Sequence, residues 1–197
     1  MAGRKKSTDR LRQILKAAAS LFIQKGYLNT SVRDIADRCN MNVATLYHYV
    51  GSKYNVLNLF HESSMDLLKG FVEENKQVFD ELEPGKALAY AIKKYLEWVD
   101  EYQDATVFWY QEAKNLESMQ LEKLVIQEEF IVQLFQKLLE RGINDGKFKI
   151  ADVGIAAHNI VVLCDMWAFR RWLLRRHYTF EQYVRYQTDL ILAQVIG

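Results

Sequence analysis

Proline is almost absent from this chain, with one in 197 residues, and glycine occurs only nine times. Because these two residues are the main interrupters of regular structure, their scarcity predicts long, unbroken helices. Sustained alternation of apolar and polar residues is missing, and so are short hairpin turns, which argues against strands. Half of the residues are hydrophobic, enough for a substantial core. The composition therefore predicts an all-α fold.

Cysteine is also scarce. Cys39 and Cys164 lie far apart in predicted helices and form neither a metal-type spacing nor a disulfide framework, so we expect a reducing, cytoplasmic location. The most apolar run, Ile155–Phe169, is interrupted by His158, Asn159 and Asp165 and is too short to cross a bilayer. No signal peptide is visible, and no membrane partner is expected.

Enzyme motifs are missing as well. The chain has no paired-carboxylate motif, no Cys/His/Asp set in register, no glycine-rich phosphate loop and no metal-spaced histidine cluster. Its four histidines are scattered along the sequence. We therefore expect no catalytic residues, no cofactor and no metal site.

Charge is unevenly distributed. Residues 1–60 contain ten lysines and arginines against three aspartates, although the formal net charge of the whole chain is only +1. A basic amino-terminal part followed by an acidic remainder suits a nucleic-acid contact confined to one end. The basic segment within Met1–Ser7 is either a solvated terminus or a minor-groove or phosphate contact.

The most informative stretch is TSVRDIADRCNMNVATLYHYVGSK, residues 30–53. Its first half predicts a helix with Val32, Ile35 and Ala36 on one apolar face. Ser31 can cap this helix, with Asp34 at the favourable third position.

The second half of the stretch predicts a turn and another short helix. Asn40 tolerates the positive φ of a sharp turn. Asn42 can then cap a helix over Val43–Tyr49, in which Leu46 points inward. Ser52 can cap a long helix that begins at Lys53. Two short helices across such a turn form a helix-turn-helix, whose second helix fits the major groove of B-DNA.

Polar and aromatic side chains on the second helix suit DNA recognition. We predict that Thr45, Tyr47, His48 and Tyr49 contact bases or adjacent phosphates, and that Arg33, Tyr47 and Lys53 hold the DNA backbone. The complete set of predicted DNA-binding residues is Arg33, Asn42, Val43, Ala44, Thr45, Tyr47, His48, Tyr49 and Lys53.

The order and spacing of this stretch resemble a known family. Arg33-Asp34-Ile35-Ala36, then Thr45-Leu46-Tyr47, Tyr49 and Ser52-Lys53, are similar to the operator-binding head of the TetR family of bacterial regulators. The resemblance covers about the first sixty residues. Three positions depart from the usual pattern, with Asn40 in place of a common glycine, Gly51 in place of a larger residue and Cys39 at a site that is usually small.

The remainder of the chain predicts a larger helical bundle. Apolar residues recur at helical spacing, which gives about nine helices in all: Thr8–Lys25, the two short helices, then Lys53–Phe79, Lys86–Tyr102, Ala105–Leu116, Met119–Arg141, Val153–Arg176 and a last one that follows Thr179 and ends near Val195. We predict a DNA-binding domain at 1–53 and a ligand-binding and dimerisation domain at 54–197. The helix that begins at Lys53 is shared by both.

Several residues of the bundle are candidates for an effector site, because bundles place ligands between facing helices. For each there is an ordinary alternative. The aromatic residues can be simple core, Glu112 a surface carboxylate, His158 part of a core or dimer network, and the arginines a favourable helix end. The candidates are Phe108, Trp109, Glu112, Phe130, Leu134, His158, Trp167, Arg170 and Arg171.

A second resemblance concerns the bundle. The segments FWYQEAKNLESMQLEKL, GINDGKFKIADV and DMWAFRRWLLRRHYTFEQY are similar to the body of TetR-type repressors of fatty-acid degradation. That resemblance implies a repressor released from its operator by a small molecule, here a long-chain acyl-CoA. It also implies an apolar tunnel with basic residues at its mouth. A multidrug-type repressor that senses cationic aromatic compounds, or a helical module without DNA binding, is the alternative.

One recognition helix makes too few contacts for specific binding, so a homodimer on a near-palindromic operator is expected. We predict that the last two helices form its four-helix interface, through Ile160, Val161, Trp172, Tyr183, Leu190 and Ile191.

Overall fold

The computed structural model describes the backbone of residues 2–196 and the side chains of residues 10–196. The predicted basic segment at residues 1–7 has its side chains outside this range. Within the described residues the chain is helical and contains no strand, so the all-α prediction is confirmed. The helices are α1 (Ala2–Lys25), α2 (Val32–Arg38), α3 (Val43–Val50), α4 (Lys53–Glu81), α5 (Pro84–Glu101), α6 (Gln103–Glu112), α7 (Ser118–Asn144), α8 (Val153–Phe169), α9 (Arg171–Leu174) and α10 (Phe180–Val195).

One of the nine predicted helices is divided in two. The periodicity predicts a single helix over 153–176, whereas the structure ends α8 at Phe169 and begins α9 at Arg171. The intervening Arg170 has φ −113° and ψ 19°, outside the helical region. A short 3₁₀ turn, Ala113–Asn115, also separates α6 from α7.

The chain forms two compact units. The amino-terminal unit contains the residues up to Asp66 together with Val107–Leu124. The carboxy-terminal unit contains Leu67–Thr106 together with the residues from Val125 onward. Helices α4, α6 and α7 each contribute residues to both units. The predicted division of roles at residue 53 remains a prediction.

The core of the amino-terminal unit is built from the apolar faces of α1 to α4, with side chains from α6 and α7. Ile14 and Phe22 of α1, Ile35 of α2, Leu46 of α3 and Val56 of α4 are fully buried in one cluster. Because each of these helices is short or has one apolar face, their stability comes from this shared core.

The carboxy-terminal unit is organised around α5. Seven apolar or aromatic side chains of α5 recur at helical spacing and are buried, from Ala87 to Val99. They pack mainly against α8 and α10, which contribute Ile160, Trp167 and Ile191 among other buried residues. No helix among the described residues combines the length and apolarity needed to cross a membrane.

Candidate nucleic-acid interface and effector site

The start of α2 is fixed by a reciprocal cap. The Ser31 hydroxyl accepts a hydrogen bond from the Asp34 amide at 3.1 Å, and the Asp34 carboxylate accepts one from the Ser31 amide at 2.6 Å. Lys25 of α1 pairs with the same carboxylate at 2.9 Å. These hydrogen bonds, from Ser31 first and Lys25 second, hold the pKa of Asp34 well below its usual range. The predicted cap is confirmed, and it ties α2 to α1.

The turn between α2 and α3 also has the predicted form. Asn40 has φ +52°, a conformation that asparagine adopts more readily than most residues. The Asn42 side chain accepts from the Thr45 amide at 2.7 Å and caps α3. Gly51, with φ +73°, ends α3, and the Ser52 hydroxyl then accepts from the Asn55 amide at 3.0 Å at the start of α4.

Helix α3 has one buried and one exposed face. Leu46 and Val50 are fully buried and anchor the helix on the core. The opposite face exposes Ala44, Thr45, Tyr47 and His48, while Val43 and Tyr49 are half-buried at its edges. An anchored helix that presents hydroxyl, phenol and imidazole groups to solvent has the form required for reading the major groove.

Arg33 and Lys53, the two cationic residues predicted to contact the DNA backbone, have different surroundings. Arg33 is exposed on α2 and forms no hydrogen bond or ion pair with any described residue. Lys53 is half-buried, donates to the carbonyl oxygen of Leu28 at 3.3 Å and lies 4.3 Å from the centre of the Tyr27 ring. Burial lowers the pKa of Lys53. Arg33 is thus free to meet a phosphate, whereas Lys53 also has a structural role.

Phe108 and Trp109, which we considered as ligand-lining residues, lie in the core of the amino-terminal unit. Phe108 stacks on Phe22 of α1 at 5.9 Å between ring centres, and Trp109 stacks on Phe60 of α4 at 5.1 Å. His61 meets the edge of the Trp109 ring, and its Nε2 lies 3.0 Å from the Lys123 carbonyl oxygen. These contacts match the alternative interpretation, simple core packing.

Glu112 is not a surface carboxylate. Glu112 is only 8% exposed and lies in the amino-terminal unit. Its Oε2 accepts a hydrogen bond from the side-chain amide of Asn115 at 3.1 Å, and its Oε1 lies beside Gly26. Glu112 thus matches neither the effector-site candidate nor the surface carboxylate that was its alternative.

Phe130 and Leu134 are brought together in a groove of the carboxy-terminal unit. The groove has a volume of about 320 Å³ and lies between the second half of α4 and α7. Its floor is apolar and its rim carries cationic side chains. The lining residues are Val72, Lys76, Phe79, Asp80, Phe130, Gln133, Leu134, Lys137, Leu138 and Arg141.

Trp167 and Arg171, two other effector-site candidates, form hydrogen bonds and ion pairs within the protomer. Trp167 is buried and donates from its indole nitrogen to Asp100 at 2.6 Å. Arg171 pairs with Asp104 at 2.5 Å and also donates to Gln103 at 2.9 Å. Because its guanidinium group already binds a carboxylate, Arg171 is poorly placed to hold an anionic ligand. Arg170 is exposed, with its guanidinium group 6.0 Å from the Trp172 ring.

The polar residues of α8 separate onto two faces. His158 and Asn159 are exposed, so His158 is not part of a core network within the protomer, and the alternative of a dimer network remains. Asp165 is buried, and its carboxylate accepts from the Tyr95 hydroxyl of α5 at 3.0 Å. Burial, reinforced by the negative charge of Glu128, raises the pKa of Asp165 well above its usual range.

The residues predicted to form the dimer interface fall into a buried set and an exposed set. Ile160, Val161, Tyr183 and Ile191 are buried within the protomer, so they cannot form the surface of an interface. Trp172 and Leu190 are 66% and 47% exposed. Other large apolar side chains on α8 and α10 are exposed and were missed, namely Ile155, Val162 and Tyr186.

Sequence reasoning also missed most of the groove. One wall of the groove could have been recognised from residue spacing. Lys137 and Arg141 are four residues apart on α7, on the same face as Leu134 and Leu138. What the sequence does not give is which helix packs opposite that face. Among the described residues, no three His, Cys, Asp or Glu side chains are grouped as a metal site requires.

The capped α2, the turn at Asn40 and the anchored, outward-facing α3 define a helix-turn-helix regulator. Two family models match the sequence: the amino-terminal model of the bacterial regulatory proteins of the tetR family over residues 14–59, and a tetracyclin repressor-like carboxy-terminal domain over residues 81–173. The chain belongs to the TetR family of bacterial transcription regulators.

A curated relative matches the sequence, and solved structures match the fold. The chain is 25% identical over 176 residues to the HTH-type transcriptional regulator HbdR of Aromatoleum, which covers 89% of this chain and 76% of HbdR. The fold is similar to FadR of Bacillus subtilis in complex with stearoyl-CoA, with a TM-score of 0.76, 19% identity and coverage of 93% of this chain and 98% of FadR. It is also similar to AibR in complex with isovaleryl coenzyme A and operator DNA, with a TM-score of 0.78, 21% identity and coverage of 94% and 99%.

Proposed function

We propose that this protein is a homodimeric repressor that binds a near-palindromic operator through α3 and is released by a CoA thioester. The observation that carries the DNA part is the geometry of α3. Buried Leu46 and Val50 fix the helix, while Thr45, Tyr47 and His48 face solvent together. Side chains held on a rigid, outward-facing helix can be presented to base edges with little loss of conformational entropy.

The proposed roles of the DNA-facing residues follow from their positions. Thr45, Tyr47, His48 and Tyr49 contact bases or adjacent phosphates, and Asn42, Val43 and Ala44 form the leading edge of α3. Arg33 and Tyr47 hold the DNA backbone. Lys53 contributes positive charge near the backbone while also supporting Leu28 and Tyr27, so its replacement would alter both binding and folding.

Dimerisation is proposed through α8 and α10. Their exposed apolar side chains, together with Trp172 on the adjoining α9, are unusually large for residues facing water. A two-fold interface places the same patch against itself. Two recognition helices related by this symmetry would meet two half-sites, which is why we propose a near-palindromic operator.

The effector is proposed to be a CoA thioester. FadR and AibR, which share this fold, are described in complex with stearoyl-CoA and isovaleryl coenzyme A. A cationic aromatic effector has weaker support here, because Glu112 is buried beside Gly26 and Asn115. As a DNA-binding regulator the protein would act in the cytoplasm rather than at a membrane, and it would carry out no catalysis.

A fluorescence-anisotropy titration with operator DNA, repeated at several salt concentrations, tests the DNA part. We expect the logarithm of the binding constant to fall steeply and linearly with the logarithm of salt concentration, because phosphate contacts release counterions. The operator fragment would first be selected from random DNA by the protein. Enrichment of no sequence, together with a flat salt dependence, would favour a helical module that does not bind DNA.

A thermal-shift assay with acyl-CoA thioesters of several chain lengths, compared with cationic dyes, tests the effector class. A ligand that binds the folded state raises the melting temperature increasingly as its concentration exceeds its dissociation constant. A melting temperature unmoved by every CoA thioester, but raised by a dye, would overturn the assignment of the effector.

A further inference from the structure

The carbonyl oxygen of Val50, the last residue of α3, accepts two hydrogen bonds. One comes from the Ser52 amide at 2.8 Å, and the other comes from the side-chain amide of Asn55, in the first turn of α4, also at 2.8 Å. The Ser52 hydroxyl in turn accepts from the Asn55 backbone amide at 3.0 Å. The side chain of Asn55 therefore joins the end of α3 to the start of α4.

Asn55 departs from the usual form of a helix cap. It is the third residue of α4, where a glutamate or glutamine commonly accepts a hydrogen bond from the backbone amide of the capping residue. Here the capping residue is Ser52, and its amide donates to Val50 instead. A carboxylate at residue 55 would suit the helix dipole, but it has no proton to donate to the Val50 carbonyl oxygen. The requirement for an amide group therefore comes from α3 and not from the cap of α4.

The core holds α3 mainly along one line. Leu46 and Val50 are four residues apart, so their buried side chains lie on one stripe of the helix. Val43 and Tyr49 pack against the same core but are only partly buried. Contacts along a single stripe oppose the removal of a helix better than they oppose its rotation about that stripe. The directed hydrogen bond from Asn55 to the last carbonyl of α3 opposes this rotation.

Rotation of α3 would change how its outward side chains meet the bases. Thr45, Tyr47 and His48 are exposed on this face, and a recognition group must be held to within about 0.5 Å and 10–20° of its productive position. The start of the helix is fixed by Asn42, whose side chain accepts from the Thr45 amide at 2.7 Å. With Asn42 at its start and Asn55 at its end, α3 is fixed at both ends.

The first turn of α4 also contacts the loop that follows α1, through Lys53. Its ammonium group donates to the carbonyl oxygen of Leu28 at 3.3 Å. Replacing Lys53 would change both this support and the charge near the DNA. Asn55 is uncharged, so its replacement by alanine changes the support of α3 alone.

We infer that Asn55 is a positioning residue for operator recognition, which holds the end of α3 and thereby determines how well the protein discriminates between bases. Asn55 acts through α3 and makes no contact with DNA itself. This inference rests on the proposed function, in which α3 reads the operator. It gives a role in specificity to a residue of α4 that lies outside the predicted DNA-binding set.

Asn55→Ala removes the donor at an exposed position, so the variant should fold. In fluorescence-anisotropy titrations, its discrimination between the operator and single-base variants should fall roughly fivefold, the effect of one hydrogen bond. The slope of log K against log salt should keep its wild-type value, because no phosphate contact is lost. Hydrogen exchange at the Gly51 amide, which donates to the Tyr47 carbonyl oxygen at 2.8 Å, should become faster.

Asn75→Ala is the matched control, because it makes the same change elsewhere on α4. The Asn75 side chain donates to the Phe71 carbonyl oxygen at 2.8 Å and accepts from the Tyr90 hydroxyl at 3.1 Å. Its replacement should lower the melting temperature and leave discrimination unchanged. Asn55→Asp keeps the size of the side chain without the donor, and should lose discrimination as Asn55→Ala does. Its added charge should weaken binding to the operator and to the variants alike.

The possible outcomes are distinct. If Asn55→Ala discriminates like the wild type, the core alone holds α3, and this inference fails while the proposed function stands. If the salt slope becomes shallower by about one, Asn55 contacts a phosphate and the positioning role is overturned. An equal loss of discrimination in Asn75→Ala would show a general effect of stability and would also overturn it. If the wild type itself enriches no operator, the proposed function fails, and this inference fails with it.

Discussion

The carboxylate of Glu112 lies against Gly26. Its Oε1 is 2.9 Å from the point at which a Cβ on residue 26 would stand, and Gly26 has φ +82°. Gly26 ends α1, so this contact joins the end of α6 to the first helix of the amino-terminal unit. Two independent restraints, the backbone conformation and the carboxylate, therefore favour glycine at this position.

Gly26→Ala should destabilise the protein. An alanine held at positive φ costs about 1–2 kcal/mol, and the added methyl group would also displace Glu112 from Asn115. Gly51→Ala is the matched control, because Gly51 has φ +73° but no described atom within 4 Å of its Cβ position. Urea denaturation should show a larger decrease in the free energy of unfolding for Gly26→Ala. Equal decreases would mean that the carboxylate contact contributes nothing.

Replacements in the DNA-facing surface should separate two kinds of interaction. Arg33→Ala should weaken binding to all sequences alike, and the slope of log K against log salt should become shallower by about one, because one phosphate is no longer neutralised. Thr45→Ala and His48→Ala should instead reduce discrimination between the operator and its single-base variants. Anisotropy titrations against a panel of operators measure both effects. Identical behaviour of the Arg33 and His48 variants would contradict the assigned roles.

The buried Asp165 should make stability depend on pH. Since its pKa in the folded protein is raised, the folded state binds a proton more tightly than the unfolded chain does. The associated stability is fully present below the unfolded pKa of about 3.9 and is lost as pH rises through the folded pKa.

Asp165→Asn cannot ionise but can still accept from the Tyr95 hydroxyl. Its free energy of unfolding should therefore improve relative to the wild type as pH rises from the unfolded pKa toward neutrality. Denaturation at a series of pH values measures the difference. A difference that stays constant over this range would show that Asp165 has an ordinary pKa.

The proposed interface predicts the behaviour of Leu190→Glu. Placing two carboxylates across a two-fold axis in an apolar patch should convert the dimer to a monomer and weaken operator binding sharply. Ile126→Glu is a suitable comparison, because Ile126 is 50% exposed on α7 and lies outside α8 and α10. Sedimentation velocity reports the oligomeric state. A Leu190→Glu variant that remains dimeric would place the interface elsewhere.

Local features of this fold were predictable from the sequence. The caps at Ser31 and Asn42 and the turn at Asn40 depend on residues within a few positions of one another, and all three have the predicted form. Short-range hydrogen bonds of this kind are encoded in residue type and spacing.

Partners distant in sequence were not predictable. Periodicity indicated that Phe108 and Trp109 lie on a helix, but not that their rings stack on those of Phe22 and Phe60. The break at Arg170 has no glycine or proline to mark it. It accompanies the ion pairs of Arg171 with Asp104 and of Arg175 with Asp100, partners that lie far away along the chain. The groove was missed for the same reason, because its two walls come from different helices.

The stacking of Phe108 on Phe22 and of Trp109 on Phe60 has a practical consequence for anyone who wishes to isolate the DNA-binding region. A fragment that ends at Asp66 would expose two large aromatic faces to water and would tend to aggregate. Fusing residues 107–124 to that fragment through a flexible linker would return the missing rings, and would provide a small, well-folded reagent for recording spectra of the protein bound to DNA.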